Sequence, residues 1–259
     1  MRLLAFLLLS TLLHANPALI AHRGASGDAP ENTLAAFRLA WAQGADGIEG
    51  DFMLSKDGRI VCIHDKDTQR VSNRNLVVAR TNAADLRSLD VGSWKSPEFA
   101  GERIPLLGEV LAILPEDKWF FLEVKCGPEI VPHLQTELTS ADPDQVVIIS
   151  FNPAVIQSCR KMIPRFQAHF LSKLDGMEDP GNEVALRKQL VDIAATGLQF
   201  SHQSRIDRRL VSSLKADGLQ IACWTVNDPK TAARVAALGV DFITTDRPAA
   251  LRKQTPWLE

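Results

Sequence analysis

An apolar run leads into a basic turn in Ala18-Leu-Ile-Ala-His22-Arg23-Gly24, near the amino end of this 259-residue chain. Two similar runs follow it: one carries Glu49 and Asp51, and the other, residues 60–63, ends on His64. Short, mostly apolar runs that stop at polar or glycine-containing turns are typical of buried β-strands. Three such strands would deliver histidines, an arginine and carboxylates to their ends. A set of this composition can bind a metal ion and move protons around a phosphate group.

From residue 18 onward, strand-like runs alternate with amphipathic segments that have the period of a helix. Strands are predicted at 18–21, 47–52, 119–124, 146–150, 167–171, 197–201, 220–224 and 242–244. Helices are predicted near 34–43, 107–114, 129–138, 154–162, 184–194, 207–216 and 230–238. Alternation of this kind indicates parallel βα units. Eight strands with helices between them predict an α/β fold of the TIM type, a (β/α)8 barrel.

The chain departs from this alternation after the second strand. Residues 53–59 contain Asp57-Gly58 and are far too short for a parallel crossover, so the run at 60–64 is expected to return antiparallel. It leads into residues 66–105, a mostly polar insertion that we call the excursion. Connections this long in a compact domain are usually functional. Leaving from the carboxyl end of the second strand, the excursion would lie over the mouth of the barrel, where active sites of this fold are found.

The composition favours one globular domain over residues 16–259. Apolar residues make up 46% of the chain and charged residues 23%, which is enough to bury one large core. The 29 basic and 31 acidic residues are well mixed and give a net charge of -2. A chain without a basic field matches the nucleic-acid backbone poorly, so no nucleic acid is expected as a partner. A small, locally recognised substrate is expected instead.

Residues 1–15 differ in character from the rest of the chain. Arg2 precedes the apolar segment 3–13, which is too short to span a bilayer comfortably and is typical of a cleaved export signal. Cleavage after Ala15 would leave a periplasmic or secreted protein without a stable membrane span. A buried amino-terminal helix is the alternative, and amino-terminal sequencing of protein from the native host would decide between them. The four cysteines could pair in an oxidising compartment, but buried free thiols are expected.

Ten short motifs occur in order along the chain. They are His22-Arg23-Gly24, Pro30-Glu31-Asn32-Thr33, Glu49-x-Asp51, Lys56-Asp57-Gly58, His64-Asp65, Ile104-Pro105, Leu122-Glu123-Val124-Lys125, Ser150-Phe151, Trp224-Thr225-Val226-Asn227 and Thr245-Asp246-Arg247-Pro248. Together they resemble the glycerophosphodiester phosphodiesterase family, over essentially the whole mature chain. The resemblance implies a TIM-type barrel that hydrolyses small-molecule glycerophosphodiesters to glycerol 3-phosphate and an alcohol with a divalent metal.

Three carboxylates are the predicted metal ligands. Glu49 and Asp51 lie two residues apart on a strand, so both side chains point to one face, which in a barrel is the interior near the mouth. Glu123, at the end of the next long strand, is placed to add a third carboxylate. An all-oxygen set selects one hard divalent cation, Mg²⁺ or Ca²⁺, over zinc. The alternative is an internal ion pair of Glu49 and Asp51 with Lys125 and Arg23.

Four basic side chains are the predicted catalytic residues. Arg23 offers a planar fork to two phosphate oxygens, whereas Lys125 acts as a point charge on the same face as Glu123. His22 and His64 titrate in an accessible range and can exchange protons with the attacking and leaving oxygens. The resemblance implies separate roles for them. His22 would take a proton from the glycerol 2-hydroxyl of the substrate, and His64 would protonate the departing alcohol.

Several further residues have two interpretations. Glu31 and Asn32 are predicted to contact substrate, or metal in the case of Asn32, although Asn32 is also suited to cap the helix that begins nearby. Trp224 is predicted to stack on the glycerol or head group at the mouth, the alternative being that it plugs the barrel. Phe151 has the same two interpretations. His169 and His202 could approach the site and are given no role.

Two other functions remain open on the same fold. Lipid phosphodiesterases of the phospholipase C or D type should expose apolar or aromatic residues at the mouth, and the excursion offers few of them. A barrel that only binds phosphodiesters, without catalysis, should lack a histidine or a ligand of the motifs. None of these residues is missing from the sequence, so the hydrolase is the favoured function.

Overall fold

The computed structural model describes residues 16–177 and 179–258, and the predicted export signal, residues 1–15, lies outside them. In the described part of the chain, nine strands form one sheet. They are β1 (Ala18–Ala21), β2 (Gly47–Leu54), β3 (Ile60–Cys62), β4 (Trp119–Val124), β5 (Val146–Ser150), β6 (Gln167–Ser172), β7 (Gly197–Ser201), β8 (Gln220–Trp224) and β9 (Phe242–Thr245).

Eight of these strands are parallel and close into a barrel. The order around it is β1-β9-β8-β7-β6-β5-β4-β2, and β1 pairs with both β2 and β9, which closes the sheet. The remaining strand, β3, runs antiparallel along β2, with Phe52 opposite Cys62. The predicted (β/α)8 barrel is therefore confirmed, and so is the antiparallel return after the second strand.

Helices cover the outside of the barrel, and one short α-helix lies within the excursion. They are α1 (Leu34–Ala42), α2 (Ala83–Arg87), α3 (Leu107–Leu111), α4 (Val131–Glu137), α5 (Pro153–Met162), α6 (Pro180–Asp192), α7 (Arg208–Ala216), α8 (Pro229–Ala236) and α9 (Pro248–Gln254). Among the described helices, none has both the length and the apolar character needed to cross a bilayer.

The structure corrects several helix boundaries. Helix α3 ends at Leu111, short of the predicted residue 114, and Pro115 follows, which disfavours the helical conformation of the residue before it. Helix α6 begins before the predicted residue 184, because Asp179 caps it by accepting a hydrogen bond from the N–H of Gly181 at 2.8 Å. Helices α2 and α9 were not predicted from the sequence.

The strand side chains alternate between two layers. Outward residues such as Phe52, Phe120 and Phe200 pack under the helices in the main core. Inward residues such as Phe121 and Phe242 fill the barrel, with their ring centroids 5.0 Å apart. In the described part of the chain the cysteines are free thiols; Cys62, Cys159 and Cys223 are buried in the main core and Cys126 is half-buried. This filled interior forms the floor below the polar mouth of the barrel.

The excursion has a small core of its own. Val71, Leu86 and Ile104 are buried there against Val61 of β3. Its Lys95 donates hydrogen bonds through Nζ to the backbone carbonyls of residues 26 and 27, at 2.8 and 2.9 Å. The excursion therefore packs firmly on the loop between β1 and α1, next to the carboxyl end of the first strand.

One titratable side chain is buried in the barrel interior, away from the mouth. His169 on β6 is fully buried, with its ring edge against Phe121 and its Nδ1 3.4 Å from Nε2 of Gln199. A Cβ at residue 197 would lie 2.4 Å from Cδ2 of His169, so only glycine leaves room for this ring. Burial lowers the pKa of His169 to about 3. The folded protein therefore holds this histidine neutral.

This buried histidine predicts a loss of stability in mild acid. The unfolded chain takes up a proton at His169 near its ordinary pKa of about 6.5, while the folded chain does not until about pH 3. His169 does not reduce the free energy of unfolding above about pH 6.5. Below that pH the unfolded chain gains a proton that the folded chain does not, so the free energy of unfolding falls as the pH drops from 6.5 toward 3. We expect this difference in protonation to lower the free energy of unfolding by about 2 kcal/mol between pH 7 and pH 5. In urea titrations at the two pH values, His169→Gln should lack this part of the decrease; an unchanged decrease would contradict the assignment.

Candidate active site

Three buried carboxylates meet at the carboxyl ends of β2 and β4. Asp51 is paired in register with Glu123 on the neighbouring strand, and Glu49 precedes Asp51 by two residues on the same face. One oxygen of each side chain lies within 4.8 Å of one oxygen of the other two. Among the described residues, Oε1 of Glu49 and Oδ1 of Asp51 are buried without a hydrogen-bond partner. Converging carboxylate oxygens with unused lone pairs fit a hard divalent cation.

The negative charges of the three carboxylates repel one another, and this repulsion affects their pKa values. Burial and the charge of Asp51 raise the pKa of Glu49 to about 8. Burial and Asp51 raise the pKa of Glu123 as well. Burial also opposes ionisation of Asp51, but the positive charges around it, above all Arg23, keep its pKa below the ordinary value. A bound divalent cation would relieve the repulsion that raises the first two pKa values.

The two predicted cations contact this cluster. Arg23 places Nε 3.2 Å from Oδ2 of Asp51 and donates from Nη1 to Oε1 of Glu31 at 2.9 Å. Lys125 donates from Nζ to Oε1 of Glu123 at 2.7 Å and lies 3.6 Å from Oδ1 of Asp51. Asp51 therefore forms the ion pairs with Arg23 and Lys125 that were the alternative to a metal site. Glu49 instead accepts a hydrogen bond from the backbone N–H of Arg23 at 2.9 Å.

The turn after β1 adopts an uncommon backbone conformation. Arg23 and Asn32 have φ values of 54° and 58°, and Gly24 lies at 78°. A Cβ at Gly24 would lie 2.6 Å from the backbone of Ala36, so the turn requires glycine there. Backbone strain of this kind persists where surrounding contacts fix it, and it concentrates at functional sites. The His-Arg-Gly motif is therefore a turn that directs the Arg23 amide at Glu49.

Asn32 supports the carboxylate cluster and does not cap α1. Its Nδ2 donates to Oδ2 of Asp51 at 2.8 Å, and its Oδ1 accepts from the backbone N–H of Asp51 at 3.0 Å. Thr33 is the residue that caps the helix, by accepting from the N–H of Ala36. The capping interpretation of Asn32 is wrong by one residue, because the left-handed conformation of Asn32 turns its side chain toward β2.

Each predicted catalytic histidine is paired with an aspartate. Nδ1 of His22 lies 2.6 Å from Oδ1 of Asp246, and Nδ1 of His64 lies 2.7 Å from Oδ1 of Asp65. Both histidines line the same cavity. A carboxylate at Nδ1 fixes the orientation of the ring and leaves Nε2 for proton transfer. Nε2 of His22 lies 4.0 Å from Oε2 of Glu49.

Asp246 is the main site residue that sequence reasoning missed. It occurs in the last of the ten motifs but received no role, since 224 positions separate it from His22. Barrel closure brings the two together, because β9 pairs with β1 and Thr245 is the partner of Ala21. Burial opposes ionisation of Asp246, but the hydrogen bond with His22 lowers its pKa to about 2. A carboxylate directly after the last strand was the available signal.

The pKa values of the two histidines are shifted in opposite directions. Burial disfavours the protonated form of His22, but the hydrogen bond with Asp246 and the charge of Glu49 outweigh it and raise its pKa. At His64, burial and the charge of Arg23 outweigh the nearby carboxylates and lower its pKa. A cation bound to Glu49 would cancel part of the charge that raises the pKa of His22. The lower pKa would leave more of the His22 ring unprotonated and able to accept a proton.

The cavity between these groups has a volume of about 250 Å³. Phe151 and Trp224 also line it, and their rings meet edge to face with centroids 5.5 Å apart. Nζ of Lys125 lies 5.9 Å from the centroid of Phe151. Lys173 and Gln199 also line the cavity, and neither was predicted as a site residue. The arrangement has a charged half suited to a phosphate and a half-apolar wall.

Comparison with known proteins identifies this architecture. The sequence model of the glycerophosphoryl diester phosphodiesterase family matches residues 22–250, from the first site histidine into the last helix. The chain belongs to that family. It is therefore an enzyme, a phosphodiesterase of glycerophosphodiesters, and the resemblance found in the sequence is confirmed.

Individual relatives match almost end to end. The glycerophosphodiester phosphodiesterase of Caldanaerobacter subterraneus subsp. tengcongensis is 34% identical, over 90% of this chain and 95% of the relative. That of Bacillus altitudinis is 31% identical, over 89% and 94%. A solved structure of an Oleispira antarctica phosphodiesterase, in complex with the product sn-glycerol-3-phosphate, is 30% identical, with a TM-score of 0.84 over 93% of this chain and 97% of that one.

Proposed function

We propose that this enzyme hydrolyses small glycerophosphodiesters by metal-dependent catalysis with two histidines. One observation carries the proposal: two histidines, each paired with an aspartate, line one cavity together with Arg23 and Lys125, beside a cluster of three buried carboxylates. Proton carriers that follow two separate strands suit an in-line displacement at phosphorus, in which attacking and leaving oxygens lie on opposite sides. The sn-glycerol-3-phosphate bound by the Oleispira relative supports glycerol 3-phosphate as the product.

The carboxylates Glu49, Asp51 and Glu123 would hold one divalent cation, Mg²⁺ or Ca²⁺. When bound, such an ion supplies positive charge that stabilises the phosphoryl oxygens as their charge changes in the transition state. Arg23 and Lys125 complement it from the same face of the cavity. Their contacts with Asp51 and Glu123, two of the carboxylates that would hold the metal ion, support this role.

The two histidines divide the proton transfers. His22 accepts the proton of the glycerol 2-hydroxyl, whose oxygen forms a bond to phosphorus while the bond from phosphorus to the alcohol oxygen breaks. His64 donates a proton to that departing oxygen. Water then opens the resulting cyclic phosphate with the proton roles reversed, which restores both histidines and leaves glycerol 3-phosphate. Asp246 and Asp65 hold the two rings through Nδ1.

Binding of the rest of the substrate is assigned to the cavity wall. Trp224 and Phe151 present aromatic surface for the glycerol carbon chain. Glu31 contributes indirectly, because it holds Arg23. A lipid substrate is less well supported. The large apolar side chains exposed on the excursion are Val77 and Trp94, which offer little surface for a membrane.

The test is an assay of metal-depleted enzyme against a panel of substrates. We expect glycerophosphocholine, glycerophosphoethanolamine and glycerophosphoglycerol to be hydrolysed to glycerol 3-phosphate only after Mg²⁺ or Ca²⁺ is added back. Phosphatidylcholine in mixed micelles is the lipid comparison and should be a far poorer substrate. Full activity in the presence of chelator, or release of phosphocholine instead of glycerol 3-phosphate, would contradict the proposal.

A further inference from the structure

We propose that Arg70, on the excursion, is a positioning residue for His64, and this inference rests on the proposed function of His64. The guanidinium of Arg70 donates from Nε to Oδ2 of Asp65 at 2.7 Å. The other carboxylate oxygen of Asp65 contacts Nδ1 of His64. Arg70 also donates from Nη1 and Nη2 to the two oxygens of Glu31, at 2.6 and 2.8 Å. The guanidinium thus ties the carboxylate that orients His64 to a second, better buried carboxylate.

The geometry gives each residue of this chain of contacts a separate task. Glu31 is itself fixed by Arg23, and its side chain is only 12% exposed. It therefore gives Arg70 a firm anchor by a paired fork contact, which is the strong geometry for an arginine and a carboxylate. The side chain of Asp65 is 35% exposed. Without Arg70, Asp65 would be free to turn toward water, and the His64 ring would lose its fixed partner.

Buried side chains and hydrogen bonds hold the turn that carries Arg70. Thr68 and Val71 on either side of it are buried. The hydroxyl of Thr68 donates to the backbone carbonyl of Arg74 at 2.6 Å and accepts from the N–H of Leu76 at 3.0 Å. Arg70 itself is not among the residues that line the cavity. It acts on the site through Asp65, which it ties to Glu31 on the loop between β1 and α1.

Surface ion pairs contribute little to the free energy of unfolding, so the effect expected here is on catalysis and not on stability. Misplacement of a catalytic group by about 1 Å can lower turnover about 100-fold. We therefore expect Arg70→Ala to lower kcat on glycerophosphocholine by about 10–100-fold with little change in KM. Arg70→Lys should remain impaired, because one ammonium group cannot reach both carboxylates with fork geometry.

Two measurements test the inference. In the first, kcat on glycerophosphocholine is compared for Arg70→Ala, Asp65→Asn and the double variant. If Arg70 acts through Asp65, the double variant loses no more than Asp65→Asn alone. Losses that multiply would overturn the inference, whatever His64 does. Arg74→Ala is the matched control, since Arg74 is an exposed arginine of the same excursion; among the described residues, no partner of its side chain is recorded.

The second measurement uses a glycerophosphoryl nitrophenyl ester as the substrate. Its leaving group, nitrophenolate, departs readily without accepting a proton. Arg70→Ala should then approach wild-type turnover, as His64→Ala should. An equal loss for Arg70→Ala on both substrates, with rescue of His64→Ala, would show that Arg70 does not act on the leaving-group step and would overturn the inference. If His64→Ala shows no rescue but the variants at residues 65 and 70 remain coupled, the role proposed for His64 fails while the positioning by Arg70 stands.

Discussion

Replacing Asp51 by Asn is expected to weaken metal binding and turnover together, each by more than about 100-fold, the upper end of what loss of a supporting contact around a metal costs. Asn keeps the shape of the side chain but removes its charge. The new side chain also carries an amide donor. In the wild type, Oδ2 accepts a hydrogen bond from Nδ2 of Asn32 and lies close to Nε of Arg23. Metal affinity is measured by calorimetry with Mg²⁺ or Ca²⁺, and turnover by release of glycerol 3-phosphate.

Asp51→Asn should also lower the stability of the metal-free protein, because the folded state favours the ionised form of Asp51 and the new amide would face Nδ2 of Asn32 and Nε of Arg23. Asp117→Asn is the matched control, because Asp117 is exposed and precedes β4 at the opposite end from Glu123. Wild-type metal affinity in Asp51→Asn would show that the ligand assignment is wrong.

The second large effect separates the two histidines. On glycerophosphocholine, His64→Ala should lose about 10²–10⁴-fold in kcat, the usual contribution of a general acid. On a glycerophosphoryl nitrophenyl ester this loss should largely disappear, because nitrophenolate leaves without protonation. His22→Ala should be impaired on both substrates, because the 2-hydroxyl still has to be deprotonated. The measurement is kcat for each variant on each substrate.

His133→Ala is the control for these variants, since His133 is exposed on α4. Equal losses for His64→Ala on the two substrates would remove it as the leaving-group acid. Rescue of His22→Ala by the nitrophenyl ester would instead reverse the two assignments. Both histidines hold an aspartate at Nδ1 and line one cavity, but they follow different strands and their pKa values are shifted in opposite directions.

Periodicity along the chain was sufficient to predict the barrel. Each parallel strand appears within two residues of its predicted bounds, because buried strands leave a local signature of short apolar runs between turns. Helix boundaries were less predictable. The start of α6 depends on the cap at Asp179, and α3 is shorter than its apolar pattern suggests. Caps and packing decide helix ends, and a periodic pattern does not contain them.

The carboxylate cluster followed from the sequence because it depends on local geometry. Alternation on a strand places Glu49 and Asp51 on one face, and neighbouring parallel strands end at the same edge, where Glu123 lies in register with Asp51. The partners of the histidines did not follow in the same way. The partner of His64 is its neighbour in sequence, but the partner of His22 is Asp246, at the far end of the chain.

The sequence by itself determined the parallel barrel, the antiparallel return and the residues that converge at the mouth, since strand period and strand order are properties of the chain. Only the tertiary structure decided which groups support them. Closure of the barrel between β1 and β9 brings Asp246 to His22, and folding of the excursion onto the first loop brings Arg70 to Glu31. Such contacts join residues far apart in the chain, and no local pattern encodes the distance between them.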